Sequence, residues 1–187
     1  MEEEVKKTVE ILRKGGVILY PTDTVWGIGC DATNEAAVKR IYEIKRRADE
    51  KSMLVLVDNA ERIGGYVKDV PSLAYDLAEM SEKPLTIIYS GAKNLAQNLI
   101  APDGSIGIRI TSEAFSKAIC YRLQKPIVST SANISGEPTA AIFPDISDEI
   151  KNAVDYIVRY RQNDKKKSAP SSIIKFSSEN IVEVIRK

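Results

Sequence analysis

Short apolar runs alternate along the chain with segments in which apolar residues recur at helical spacing. The apolar runs at residues 17–20, 53–57, 85–89 and 106–110 have the length and composition of β-strands. The run at 53–57 is continuously apolar and bounded by charged residues, which is typical of a strand buried on both faces. Strands that alternate with helices in this way indicate an α/β fold.

Helical spacing and capping residues predict five helices between these strands. They are predicted over residues 3–14, from a cap at Thr33 or Asn34 to residue 46, over a short segment after Asn59, and over 72–80 and 112–123. Further short apolar runs predict strands at 126–128, 156–160, 172–176 and 181–185. We find neither an internal repeat nor a linker-like change in composition. The 187 residues are therefore expected to form one domain, residues 1–187.

The composition restricts the chemistry that the protein can perform. The chain contains no histidine, which excludes hydrolases that need a histidine base and most transition-metal catalysis. Its two cysteines, Cys30 and Cys120, cannot form a structural zinc site by themselves and are expected to be reduced core thiols. Any catalysis must use lysine, arginine, hydroxyl groups, carboxylates or a metal ion that arrives with the substrate.

Charge and hydropathy give the expected location. The chain has 27 basic and 26 acidic side chains, so no net charge draws it to nucleic acids or membranes. It has no apolar run of about 18 residues, and it begins with an amphipathic helix in place of a charged and then apolar leader. We expect a cytoplasmic protein.

Four polar clusters follow the ends of predicted elements, where open α/β sheets bind ligands. The first is residues 21–29, with the sequence PTDTVWGIG. It places hydroxyl groups, a carboxylate, an aromatic ring and two glycines directly after a strand. These residues suit either one wall of a binding site or a plain strand, turn and second short strand.

The second and third clusters contribute positive charge. If the chain is extended after residue 45, alternation places Lys45 and Arg47 on one side, where they suit a triphosphate. The alternative is a solvated helix end. Ser105 and Arg109 lie four residues apart on a strand and therefore share a face. An arginine in an apolar strand needs an anionic partner, either a ligand or an internal carboxylate.

The fourth cluster is residues 129–139, with five hydroxyl groups and one amide in eleven residues after a short strand. These neutral groups suit phosphate oxygens or an amino acid, although a Ser/Thr-rich turn is the alternative. The chain contains neither a Walker A motif nor G-x-G-x-x-G, so nucleotide binding does not follow from those motifs.

The four clusters together resemble the YrdC-like family of threonylcarbamoyl-AMP synthases over nearly the whole chain. The resemblance rests on PTDTVWGIG at 21–29, Lys45-x-Arg47, Arg109 after Gly107, and STSAN at 129–133. It implies a twisted open mixed sheet with flanking helices around a large concave cavity. It further implies a nucleotidyltransferase that makes threonylcarbamoyl-AMP and pyrophosphate from ATP, L-threonine and bicarbonate for the t6A modification of tRNA position 37.

The resemblance also implies roles for individual residues. The expected threonine contacts are Thr24, Arg109, Ser129 and Ser172. The expected ATP or bicarbonate contacts are Lys45, Arg47, Lys51, Ser105, Ser131, Asn133 and Thr139, with Lys45 and Arg47 catalytic. Mg²⁺ is expected to arrive with ATP, without a metal site of the protein's own. Trp26 replaces the family's usual tyrosine as a flat aromatic wall, and Ala48 and Thr111 replace prolines.

Two other functions stay open at this point. One is an RNA-binding module for tRNA or double-stranded RNA without synthase activity, although RNA binding and synthesis can coexist. Its basic face would consist of Lys39, Arg40, Lys45, Arg46, Arg47, Lys51, Arg159, Arg161 and residues 165–167. The other is a noncatalytic domain that binds a nucleotide or an amino acid. Residues 163–168 suit either a solvated loop or a lid, and partners in later t6A steps are possible.

Overall fold

The computed structural model describes residues 1–47, 53–165, 167–176 and 181–187. The helices are α1 Glu2–Arg13, α2 Glu35–Lys45, α3 Ser72–Met80, α4 Ala114–Leu123 and α5 Asp148–Ala153. The strands are β1 Ile18–Tyr20, β2 Gly27–Gly29, β3 Leu54–Val57, β4 Leu85–Tyr89, β5 Ile106–Ile110, β6 Ile127–Ser131, β7 Tyr156–Ile157, β8 Ser172–Phe176 and β9 Val182–Arg186. Short 3₁₀ helices span Ala60–Gly65, Gln97–Leu99 and Phe143–Asp145.

The strands described form one mixed sheet in the order β7-β1-β2-β6-β3-β5-β4-β8-β9. The pairs β1 with β7, β3 with β5 and β4 with β8 are parallel. The other pairs are antiparallel. This arrangement confirms the predicted α/β class and the open mixed sheet.

Helices cover both faces of the sheet because the strands are apolar on both sides. In β3, Val55 and Val57 belong to one apolar cluster, and Leu56 belongs to the other. One cluster includes α2, whereas the second joins α1 to α4. The prediction that the run at 53–57 is buried on both faces is therefore confirmed.

Capping residues account for the helix starts. The side chain of Asn34 accepts a hydrogen bond from the Ala37 amide, and Asn59 accepts one from the Arg62 amide. The segment after Asn59 is a 3₁₀ helix. Helix α5 was not predicted from the apolar pattern, because it is short and buries only Ile150, although Ser147 caps it.

The β6 strand is longer than the predicted 126–128, because it continues into the hydroxyl cluster as far as Ser131 and pairs with both β2 and β3. Cys30 and Cys120 are free and buried, as predicted, and burial raises the pKa of both thiols. Among the described residues, no helix is long and apolar enough to cross a membrane.

Gly29 allows β1, β2 and β6 to pack closely. A Cβ atom at Gly29 would lie 2.5 Å from the Val128 carbonyl oxygen and 2.7 Å from Cε1 of Tyr20. The hydroxyl of Tyr20 donates a hydrogen bond to that same carbonyl at 3.1 Å. This glycine therefore makes room for the protein's own backbone and for the Tyr20 ring.

We predict that Gly29→Ala lowers the free energy of unfolding by about 1–3 kcal/mol, because the added methyl group has no space between Tyr20 and β6. Gly65→Ala is the matched control, since a Cβ atom there would meet nothing within 4 Å. Urea unfolding followed by circular dichroism measures both changes. Equal stability of the two variants would contradict the packing argument.

Candidate functional site

A cavity of about 290 Å³ lies where β2, β5, β6 and β8 meet the segment after α2. Six of the residues that the sequence predicts as ligand contacts line it. They are Thr24, Arg47, Arg109, Ser129, Ser131 and Thr139. The structure therefore brings members of all four polar clusters to one place.

The loop between β1 and β2 presents hydroxyl groups in a fixed orientation. The Thr22 hydroxyl lies 2.7 Å from the Val25 carbonyl oxygen, to which it donates. Its oxygen can then only accept, from the Thr24 amide at 3.1 Å and from the Thr24 hydroxyl at 3.1 Å. Because the Thr24 hydroxyl proton is used in this way, the Thr24 oxygen faces the cavity as an acceptor. An acceptor suits an amine or hydroxyl group of a ligand.

Arg109 and Asp23 form a buried ion pair beside this loop. Nη2 of Arg109 lies 2.9 Å from Oδ1 of Asp23, and the two side chains are 3% and 5% exposed. Burial raises the pKa of Asp23, against the lowering effect of Arg109. Burial likewise lowers the pKa of Arg109, which Asp23 partly offsets. Of the two partners that the sequence left open for Arg109, the structure contains the internal carboxylate.

Arg109 nevertheless retains groups for a ligand. Its Nη2 also lies 3.4 Å from the Thr24 hydroxyl oxygen, and the side chain lines the cavity. Among the described residues, its Nε has no hydrogen-bond partner. A guanidinium carries five N–H donors, so Arg109 can hold Asp23 and still donate to a ligand carboxylate.

Lys45 is a buried positioning group at the end of α2. Its Nζ donates hydrogen bonds to the backbone oxygens of Ser131 and of Asn133, the latter at 2.7 Å. Burial, with a smaller effect of nearby Arg47, lowers the pKa of Lys45 from 10.5 to about 8. Lys45 is not among the residues that line the cavity. Its ammonium group joins the end of α2 to the end of β6.

Arg47 reaches the cavity by a different geometry from the predicted extended alternation. Lys45 is the last residue of α2, and Arg46 then takes a left-handed conformation with φ of 50°. This turn places Arg47 on the cavity wall, where burial lowers its pKa. Arg46 points away, with a side chain that is 67% exposed and paired with Glu149 at 2.6 Å. The prediction of a shared side for Lys45 and Arg47 by strand alternation was therefore wrong.

The hydroxyl cluster after β6 divides into two groups. Ser129, Ser131 and Thr139 line the cavity. Asn133 instead closes the loop, because its Nδ2 donates to the carbonyl oxygens of Ile134 and Glu137 at 3.0 and 2.8 Å. A ligand contact from Asn133 stays a prediction.

Two predicted contacts lie beside the main cavity. Ser105 lines a neighbouring cavity of about 170 Å³ and donates to Asp103 at 2.6 Å. Ser172 begins β8, but it is Ser171 that lines the main cavity. The contacts predicted from Ser105 and Ser172 stay predictions. Lys51, with Ala48 of the same segment and Lys166 of the polar loop, lies outside the described residues.

The sequence interpretation missed Arg186 in β9. Its guanidinium lines the cavity and donates to the Ser171 carbonyl oxygen at 2.8 and 2.9 Å. The argument used for Arg109 does not apply here, because Arg186 follows the predicted strand at 181–185 and the residues of β9 are exposed. Arg186 brings a third guanidinium to the cavity, beside Arg47 and Arg109.

Trp26 belongs to the core and does not line the main cavity. Its ring is 5% exposed and packs against Phe143, with ring centroids 4.8 Å apart and planes tilted by 49°. Trp26 precedes β2 and lines a smaller pocket with Thr22 and Thr24, so its role as an aromatic wall of the binding site stays a prediction. Gly27, the next residue, is the one that lines the cavity.

Four of the basic residues proposed for an RNA-binding face are paired within the protein or buried. Arg40 contacts Asp155 at 2.6 Å, Arg46 contacts Glu149, and Arg161 contacts Asp164 at 2.8 Å. Lys45 is buried. These contacts engage part of the positive charge that such a face needs, whereas Lys39 and Arg159 are exposed.

A family model for telomere recombination, Sua5_yciO_yrdC, matches residues 10–187. The threonylcarbamoyl-AMP synthase of Pseudoalteromonas translucida is 32% identical over 160 residues, which cover 84% of this chain and 86% of that protein. A relative from Methanocaldococcus jannaschii is 34% identical over 189 residues, which cover 98% of this chain and 87% of the relative.

Solved structures share the fold. Escherichia coli YciO superimposes with a TM-score of 0.86 at 26% identity and covers all of this chain, which spans 90% of YciO. A variant of Pyrococcus abyssi Sua5 gives a TM-score of 0.89 at 23% identity, and the chain spans 56% of its length. P. abyssi Sua5 in complex with L-threonine gives a TM-score of 0.83 at 23% identity, and the match covers 94% of this chain and 51% of that one.

We predict that the free energy of unfolding increases with pH more steeply for the unchanged protein than for Lys45→Met. The reason is that Lys45 loses its proton at a lower pH in the folded chain than in the unfolded chain. The pKa of Lys45 is about 8 in the folded chain and 10.5 as its ordinary value, so between these values the unfolded state binds more protons. The gain between about pH 7 and pH 10 should be on the order of 2 kcal/mol. Urea unfolding of both proteins across this range measures it, and parallel curves would contradict the lowered pKa.

Proposed function

The chain belongs to the Sua5/YciO/YrdC family, and on this premise we propose that it is an L-threonylcarbamoyladenylate synthase. The proposed reaction is a nucleotidyl transfer that forms threonylcarbamoyl-AMP and pyrophosphate from ATP, L-threonine and bicarbonate, and its product serves the t6A modification of tRNA. The observation that carries the proposal is the placement of Arg47, Arg109 and Arg186 with three hydroxyl residues of β6 around one cavity.

The amino-acid end of the cavity would lie at Thr24 and Arg109. The Thr24 oxygen, fixed as an acceptor, would receive a hydrogen bond from the threonine amine or hydroxyl. Arg109 would donate its remaining N–H groups to the carboxylate. Ser129 lines the same cavity and would bond the other polar group of the amino acid. These contacts would hold the amine in one orientation for attack.

The nucleotide end would lie at Arg47 and Arg186, whose guanidinium groups suit phosphate oxygens. In the proposed sequence, the threonine amine adds to CO₂ from bicarbonate and loses a proton. A carbamate oxygen then attacks the α-phosphorus of ATP, and pyrophosphate leaves. Mg²⁺ would enter bound to the ATP phosphates, as part of the substrate. Nucleotidyl transfer of this kind needs alignment and charge stabilisation, which side chains without histidine provide.

Lys45 would support this reaction indirectly, from outside the cavity lining. Its two bonds to the Ser131 and Asn133 carbonyls hold the end of β6, on which Ser129 and Ser131 face the cavity. A direct contact with ATP, as the resemblance implies, would require the ammonium group to exchange these carbonyls for phosphate oxygens. An RNA-binding module without synthase activity is not favoured, because a relative that matches 84% of this chain is a threonylcarbamoyl-AMP synthase. In addition, four of the basic residues proposed for such a module are paired or buried.

The proposed function is tested by pyrophosphate release from ATP. We expect release to require both L-threonine and bicarbonate. Threonine supplies the amine of the threonylcarbamoyl group, and bicarbonate supplies its carbamoyl carbon. Omission of each in turn is the control. Release that is independent of threonine would contradict the proposal, as would its absence from folded protein.

We predict that Arg47→Gln lowers turnover by about 10²–10³, because it removes a charge from the phosphate end of the cavity. Arg46→Gln is the matched control, since the guanidinium of Arg46 is exposed and bound to Glu149. Turnover of the control should stay within about twofold of the unchanged protein. Equal turnover of the two variants would remove Arg47 from the reaction.

A further inference from the structure

Arg161 has a backbone conformation that is unfavourable for its side chain. It lies in the turn after β7 with φ of 63°, in the left-handed region that favours glycine. Nothing in the turn itself requires an arginine, since the bond from the Asp164 amide to the Arg161 carbonyl, at 3.1 Å, uses only backbone atoms. A residue held against its conformational preference indicates that its side chain makes compensating contacts.

The Arg161 guanidinium makes these contacts with three separate segments. Its Nε and Nη2 donate to Oδ2 of Asp164 at 3.1 and 2.8 Å. Its Nη1 lies 3.5 Å from Oε1 of Glu113 and donates to the Thr22 carbonyl oxygen at 3.3 Å. The side chain is 29% exposed, so these contacts are partly screened from solvent. One side chain thus joins the turn after β7, the start of α4 and the loop between β1 and β2.

The contact with Thr22 leads directly to the amino-acid end of the cavity. Thr22 holds both the amide and the hydroxyl of Thr24, and this bonding is what leaves the Thr24 oxygen as an acceptor. The same Thr24 oxygen lies 3.4 Å from Arg109. A shift of the Thr22 backbone would therefore move Thr24 relative to Arg109.

The contact with Glu113, at the start of α4, concerns the surroundings of the Arg109–Asp23 pair. Oε2 of Glu113 accepts a hydrogen bond from the Ser116 amide at 2.7 Å and so caps α4, while Oε1 faces Arg161. The Glu113 charge also raises the pKa of Asp23, after the larger effects of burial and of Arg109. Arg161 therefore places a positive charge beside a carboxylate that acts on the buried Arg109–Asp23 pair.

We propose that Arg161 is a positioning residue for the amino-acid subsite, and that it fixes the Thr22 to Thr24 segment in the orientation that binds the amino-acid substrate. It does not touch the substrate itself. This inference rests on the proposed function, because it assigns the Thr24 end of the cavity to an amino acid.

The test compares substrate constants for variants that keep the turn. Arg161→Asn removes the guanidinium and places a residue that tolerates the left-handed conformation. Because this leaves Glu113 without its counter-charge, the double variant Arg161→Asn with Glu113→Gln removes both charges and retains an oxygen that can cap α4. Arg159→Asn is the matched control, since that side chain is exposed and lies two residues away.

We expect the double variant to raise the KM for L-threonine by about fivefold or more, with the KM for ATP within about twofold, because only the amino-acid end loses its orientation. Arg159→Asn should change neither constant. An unchanged KM for threonine, or a parallel rise in both constants, would overturn the proposal.

A second measurement separates this inference from the proposed function. Hydrogen exchange of the Thr24 amide reports its bond to Thr22 whether or not the protein has synthase activity. We expect exchange to be about tenfold faster in the double variant than in the Arg159→Asn control. If the unchanged protein releases no pyrophosphate but exchange accelerates, the proposed function fails and the positioning contact stands. Unchanged exchange would refute the positioning contact.

Discussion

The ion pair between Arg109 and Asp23 is the contact on which the rest of the site depends. Arg109 lies in β5 between Leu56 of β3 and Thr86 of β4, and its side chain is 3% exposed, so its charge needs a partner inside the protein. Asp23 provides this partner from the loop between β1 and β2, which approaches from the other part of the sheet. Loss of one member of such a pair typically costs about 3–5 kcal/mol, because the other charge stays buried. The pair therefore fixes the loop over β5, which carries Thr24 of the proposed amino-acid end of the cavity.

Lys45 provides a similar constraint near Arg47, on another side of the cavity. Its ammonium group is buried against two carbonyl oxygens of the segment around Ser131. It holds α2 and β6 together, and the left-handed turn at Arg46 then places Arg47 on the cavity wall. A buried ion pair and a buried ammonium group thus build the frame, and the groups that face the cavity are hydroxyls and three guanidinium groups, among them that of Arg109. This division fits a reaction that depends on alignment and charge stabilisation.

The sequence predicts those features that depend on local pattern. The caps at Asn34 and Asn59 and the doubly buried strand at 53–57 follow from residue type and spacing. Features set by tertiary contacts did not follow. Strand alternation could not predict the position of Arg47, because Lys45 ends a helix and Arg46 adopts a left-handed conformation. The choice of Ser171 as a cavity residue depends on the register of β8, and the packing of Trp26 depends on Phe143, which is far away in sequence. Arg186 follows a strand that is exposed along its length, so its place at the cavity depends on the pairing of β9 with β8.

The family and the cavity together lead to one account, in which the chain joins the carbon of bicarbonate to the amine of threonine and transfers the adenylate of ATP to it. The most direct measurement is mass spectrometry of the nucleotide product formed from ATP, L-threonine and isotopically labelled bicarbonate. The account predicts threonylcarbamoyl-AMP that carries one labelled carbon. A product without the label, or AMP without any threonine adduct under rapid quenching, would contradict it.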